Sequence, residues 1–229
     1  MDWERYSLEI VFSISSVPNV FLDLVSSCLN ETLQKNLFNP QNEWKTFKSY
    51  MSILCADLKS ILESESKIIR LNSPCLVISD IQGSISDLWY LKKVFFPSFP
   101  VIPENIIFLG NYSGHWSNSI EVLICLFACK ALAPNKVILL RGNYELNTQN
   151  SRLLLNECLY KYGPKYGKDL FNMFLNVFYS MPIALLIDEN IFCANTGIPK
   201  KDKIDHLNKL PKRLENAEND YPMAFEVIY

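Results

Sequence analysis

Histidine is nearly absent from this chain: 229 residues hold only His115 and His206. The seven cysteines are odd in number and include no Cys-x-x-Cys pair, so neither a zinc spacing nor a disulfide framework is indicated. Cys75, Cys125, Cys129 and Cys193 stand in apolar runs, as small buried hydrophobes in a reducing compartment do. Net charge is also lacking. At −2 it gives no reason to expect nucleic acid or an anionic membrane as a partner. The apolar stretch from Leu8 to Val17 is too short for a bilayer span. As a secretory leader it fails on charge, because Asp2, Glu4 and Glu9 surround it where basic residues belong, and Pro18 interrupts it. With no targeting signal read, cytoplasm or nucleus is the default location.

What remains is the composition of a folded protein, 49% hydrophobic and 20% charged, long enough for one good core. Three units are expected along it: an N-terminal helical or irregular segment over 1–42, a main domain over 43–199, and a polar tail with an apolar end over 200–229. The first seventy residues read as helical. Phe21, Leu24, Val25, Cys28 and Leu29 form a stripe within Val20 to Leu33. Trp44, Phe47, Met51, Leu54, Leu58 and Ile61 form another within Glu43 to Leu62. Such stripes are core faces and carry no chemistry.

The informative stretch runs from Leu76 to Glu145. Three apolar runs each empty into a polar turn: Leu76-Val77-Ile78-Ser79-Asp80-Ile81-Gln82-Gly83, Ile106-Ile107-Phe108-Leu109-Gly110-Asn111-Tyr112, and Val137-Ile138-Leu139-Leu140-Arg141-Gly142-Asn143-Tyr144-Glu145. Asp80, Asn111 and Asn143 are 31 and then 32 residues apart, with helical spans at Ser86 to Phe95 and Asn118 to Leu132 between them. This is the rhythm of a βαβ parallel sheet, whose strand ends hold ligands. Further on, two helices are predicted, Asn150 to Tyr160 and Asp169 to Tyr179, broken at Gly163-Pro164. Ile183 to Ile187 and Ile191 to Ala194 flank Asp188-Glu189-Asn190 as a hairpin, and its exit, Asn195-Thr196-Gly197, is a fourth polar strand end. The charged segment Lys200 to Asp220 reads as surface, and Met223 to Tyr229 as apolar residues that require burial.

These blocks resemble the serine/threonine protein phosphatases of the phosphoprotein phosphatase family, within the calcineurin-like metallophosphoesterases. The family pattern is Gly-Asp-x-His-Gly, Gly-Asp-x-x-Asp-Arg-Gly, Gly-Asn-His-Glu and a strand ending in His-Gly-Gly. The chain has Ser79-Asp80-Ile81-Gln82-Gly83, Gly110-Asn111-Tyr112-Ser113-Gly114-His115-Trp116, Gly142-Asn143-Tyr144-Glu145 and Asn195-Thr196-Gly197 at the matching places. Leu139-Leu140-Arg141-Gly142-Asn143, Pro182-Ile183-Ala184, Asp188-Glu189 and Ile191-Phe192-Cys193 carry the likeness beyond the motifs. The resemblance implies an α/β fold, a metallophosphoesterase-like β-sheet core flanked by helices, with the second half of the sandwich largely missing here. It covers Trp44 to Gly197 clearly. That half would supply a further metal histidine, a further phosphate-binding arginine and a docking groove, and a protein partner is expected to cover the incomplete sheet.

By the same resemblance the family holds a manganese, iron or zinc pair. Of its ligands this chain keeps Asp80 and Asn143. Gln82 stands for a histidine, Asn111 for the bridging aspartate and Asn195 for a second histidine. A neutral carboxamide offsets two adjacent dications far less than a bridging carboxylate and substitutes weakly for imidazole, and two-metal hydrolysis needs the pair to make its hydroxide. No cofactor is therefore expected. The histidine general acid is Tyr144, the aspartate that orients it is Gly114, and a phosphate-binding arginine is His115. Phenol is a poor acid near neutral pH, glycine orients nothing, and histidine gives no permanent bidentate clamp. No catalytic residue is expected. Asp80 could instead cap a following helix, and Asn111 and Asn143 could bond only to turns. His206, in the polar tail, is assigned no role.

Overall fold

The computed structural model describes residues 15–30, 43–146, 148–199 and 204–229. The leader-like stretch up to residue 14 and the end of the first predicted helix, 31–33, lie outside the described residues. The two amphipathic stripes form helices α1 (Val17–Asn30) and α2 (Trp44–Ser64). On α2 the residues of the predicted stripe from Trp44 to Leu58 are buried, along with Cys55 and Leu62.

The three polar-ended runs become β2 (Cys75–Ile78), β3 (Asn105–Phe108) and β4 (Val137–Leu139), with α3 (Ile85–Phe95) and α4 (Ser119–Leu132) between them. They pair in parallel in the order β2-β3-β4, with Ile78 opposite Phe108 and Phe108 opposite Leu139. This register sets the three polar turns side by side. Helix α4 is apolar on every side and accordingly all of its residues are buried. Its two charges are answered within the core. Glu121 pairs with Lys161 at 2.8 Å, and Lys130 pairs with Glu65 while donating to the Pro134 carbonyl at 2.7 Å.

After a 3₁₀ turn over Asn143–Glu145, the chain runs through α5 (Arg152–Phe178) to a hairpin of β5 (Ala184–Ile187) and β6 (Ile191–Ala194). The break expected at Gly163-Pro164 is there: Gly163 has non-helical backbone angles (φ 76°), so α5 consists of two helical segments, the second starting at Pro164. A correction concerns β1 (Ile68–Leu71), which lies within the stretch read as helical up to residue seventy. It pairs in parallel with β5, Ile68 opposite Ala184, and gives a second sheet of order β1-β5-β6.

The two sheets face each other through Ile69, Leu185 and Ile187 on one side and Ile107, Ile138 and Leu140 on the other. The far face of the parallel sheet packs under the helices, through Ile78, Ile106, Phe108, Val137 and Leu139. The far face of the second sheet is covered by the chain's own end. Ile68, Ala184 and Leu186 meet Leu207 of α6 (Ile204–Leu207), Leu214, Ala217 of α7 (Ala217–Asp220), and Ala224, Val227 and Ile228 of α8 (Pro222–Ile228). The charged segment after residue 200 thus carries a line of buried apolar side chains, and the apolar end is buried as its composition requires.

Two buried lysines generate predictions. Removing one partner of a buried ion pair leaves the other charge uncompensated, at a cost of about 3–5 kcal/mol. Glu65→Ala should lower stability by about that much through Lys130, whereas the double change with Lys130→Met should recover part of it, as read by urea unfolding. Lys67 is 3% exposed and donates to the Ser180 and Met181 carbonyls at 3.0 and 2.8 Å. Burial, then the charges of Arg141 and Lys212, lower its pKa from 10.5 to about 7. Between those values the unfolded chain binds the extra proton, so this group adds stability as pH rises from about 7 towards 10.5, and the gain is lost as pH falls back through 7. Lys67→Met should flatten that rise in a pH series of unfolding midpoints.

Candidate active site

Glu145 organises the site, although its sequence block points to its neighbours instead. Its carboxylate is fully buried and accepts from three backbone N–H groups: Asn111 at 2.8 Å and Gly142 at 3.0 Å on Oε2, and Tyr112 at 3.0 Å on Oε1. Burial raises its pKa to about 7, against the pull of those same N–H groups. The carboxylate reaches them because Gly142 has no side chain. A Cβ there would lie 2.4 Å from Asn111 Oδ1 and 2.9 Å from Glu145 Oε2. Arg141, also fully buried, donates to the Glu145 and Leu214 carbonyls at 3.2 and 2.6 Å, and so connects the turn to the segment behind the second sheet.

The structure brings together the positions that the resemblance singled out. Asp80 follows β2, and its Oδ2 accepts from Asn111 Nδ2 at 3.0 Å and Gln82 Nε2 at 3.3 Å, while Oδ1 accepts from Ser79 Oγ at 3.1 Å. Asn111 and Gln82 both sit in the left-handed region (φ 55° and 49°), where asparagine is among the few tolerant residues. Asn111 Oδ1 accepts from Tyr144 N at 3.2 Å. Asn195, after β6, accepts from Asn143 N at 3.3 Å and donates to the Leu109 carbonyl at 3.2 Å. Asn143 Oδ1 is buried with no hydrogen-bond partner. Asp80 does not cap α3; Ser84 does, accepting from Asp87 N. Asn111 does bond the turn, as one of the sequence alternatives held, and it bonds Asp80 as well.

These residues do not fit a metal pair. Where a dication would need electron pairs, Asp80 faces the N–H groups of two carboxamides. Among the described residues no group of three or more His, Cys, Asp and Glu side chains is placed to hold a metal ion. Asn143 keeps a buried carboxamide oxygen without a hydrogen-bond partner. Tyr144 and His115 meet at the rim, Tyr144 Oη lying 3.3 Å from His115 Nε2, with both near the surface.

Position 114, expected from the resemblance to hold an orienting aspartate, has no room for a side chain. A Cβ built at Gly114 would lie 2.8 Å from Gln82 Cβ and 3.0 Å from its Cα. Residue 82 thus occupies the space that a side chain at 114 would need. Overpacking of this kind costs about 1–3 kcal/mol. Gly114→Ala should lower stability by that amount in chemical denaturation, and Gly114→Asp by at least as much.

Known proteins resemble this chain in sequence and fold. The calcineurin-like phosphoesterase family profile matches residues 73–227. A protein of Schizosaccharomyces pombe (strain 972), named as a "putative serine/threonine-protein phosphatase", is 33% identical over 180 residues, which are 77% of this chain and 56% of that protein. The chain thus spans a little over half the length of that relative. In fold, the structure of a serine/threonine phosphatase from Saccharomyces cerevisiae, described as similar to human phosphatase PP5, superposes with a TM-score of 0.71 at 21% identity, covering 91% of this chain and 64% of that one. The fold is α/β, and the chain resembles a serine/threonine phosphatase catalytic domain. With the profile match extending over most of its length, the chain belongs to the calcineurin-like phosphoesterase family.

Proposed function

We propose that this chain is a catalytically inactive phosphatase relative, a pseudophosphatase, whose role is to bind or scaffold a protein partner in the cytoplasm or nucleus. The observation that supports this reading is the pairing of Asp80 with the amide donors of Asn111 and Gln82. The carboxylate that would hold a metal is spent on hydrogen bonds, and the groups around it offer hydrogen where a cation needs lone pairs. Proton transfer fails for a separate reason. Tyr144 has no carboxylate to orient it, and Gln82 closes the place where one would stand. A folded surface without this chemistry retains the capacity to associate.

A second reading keeps residual metal-dependent phosphoesterase activity through a single ion. The unpartnered Asn143 Oδ1 favours it, as does the exposure of Asp80. A third, a remnant with no role, would show itself as a chain that does not unfold cooperatively. Turnover separates the first two. Purified protein incubated with a phosphoserine peptide should release phosphate at the buffer rate with manganese and with EDTA alike. A saturable manganese-dependent rate that Asp80→Ala abolishes would establish the enzyme reading instead.

A further inference from the structure

Asn111 is better connected than a residue that has merely lost a metal would need to be. Its side chain is 7% exposed, with donor and acceptor used in opposite directions: Nδ2 to Asp80 Oδ2 at 3.0 Å and Oδ1 from Tyr144 N at 3.2 Å. Its backbone N–H goes to Glu145 at 2.8 Å, and its carbonyl accepts from the N–H groups of Ile81 and Gln82 at 3.2 and 2.9 Å. Asn195 does the equivalent across the sandwich, joining the turn at Asn143 to the end of β3 at Leu109. The ends of β2, β3, β4 and β6 are thus tied by carboxamides and by the carboxylates of Asp80 and Glu145.

From this we infer that Asn111 is a positioning residue: its neutral amide, matched to Asp80, takes the place of a bridging ion in holding the strand ends, and has made the fold independent of divalent cations. The inference rests on the inactive reading of this site. A carboxamide offers one donor and one acceptor, whereas a carboxylate only accepts. Beside Asp80, an aspartate at 111 would face a second carboxylate about 3 Å away, a like-charge contact with nothing to offset it. The amide is what allows the two positions to meet without a cation.

The test compares thermal unfolding midpoints of wild type, Asn111→Asp, and the swap Asp80→Asn with Asn111→Asp, all in EDTA. Asn111→Asp should lower the midpoint by on the order of 5 °C. The swap should recover most of that loss, because one carboxylate and one amide again face each other with roles exchanged. A residue required only for shape would show no such rescue. Wild type should melt at the same temperature in manganese as in EDTA. The inference is overturned if Asn111→Asp melts like wild type, if the swap is no better than the single variant, or if manganese raises the wild-type midpoint in a saturable way that Asp80→Ala removes. Should Asn111→Asp give no folded protein, the swap alone decides: a cooperative transition supports the pairing, and its absence overturns it. Manganese-dependent turnover by wild type would defeat the inactive reading, while the comparison of variants in EDTA stands or falls by itself.

Discussion

A single buried carboxylate holds the polar ends of the parallel sheet in register. Glu145 takes three backbone N–H groups from two different strand ends, those of Asn111 and Tyr112 after β3 and that of Gly142 after β4. None of these N–H groups has a strand partner at that point, and buried donors without acceptors are costly. Hydrogen bonds to an ionised or strongly polar acceptor are also the stronger kind. The turn that carries Glu145 is braced in its turn by Arg141, whose guanidinium reaches Leu214 in the last part of the described chain. Glu145 and Arg141 thus tie the site's backbone into the fold.

That bracing does not depend on which side chains stand at the polar positions. The backbone around Asn111 is fixed by Glu145 from one side and by the N–H groups of Ile81 and Gln82 from the other. The side chains of Asp80, Gln82, Asn111 and Asn195 add a second layer of ties between the same strand ends. At Gly114 a side chain would meet the Cβ and Cα of residue 82.

The parts of the fold legible in the sequence are those with a local signature. The βαβ repeat, the polar strand ends and the β5–β6 hairpin each announce themselves within thirty or so residues, by alternation of apolar run and turn. Strand β1 does not. Ile68-Ile69-Arg70-Leu71 follows a long helix with only a short gap, and its partner β5 lies more than a hundred residues further on. Four residues of mixed polarity carry no periodicity, so nothing marks them as a sheet edge. The break at Gly163 was legible, because a Gly-Pro pair interrupts a helix locally and the backbone of Gly163 is non-helical.

At the site, the clustering of the polar strand ends was legible because spacing is a property of the sequence, while the bonds between them are not. Nothing in the order Asp80, Gln82, Asn111 says that one carboxylate oxygen accepts from both amides, since that depends on the left-handed backbone at 82 and 111 turning the two side chains towards Asp80. The role of Glu145 was hidden for the opposite reason. It sits in a block whose other members suggest chemistry, yet full burial and three backbone donors give it an architectural task. Buried Lys67 and Lys130 follow the same logic: they look like surface charges until the fold supplies the carbonyls and the carboxylate that hold them. Such internal pairs form only when distant segments meet, so they belong to the fold and leave no mark in the local sequence.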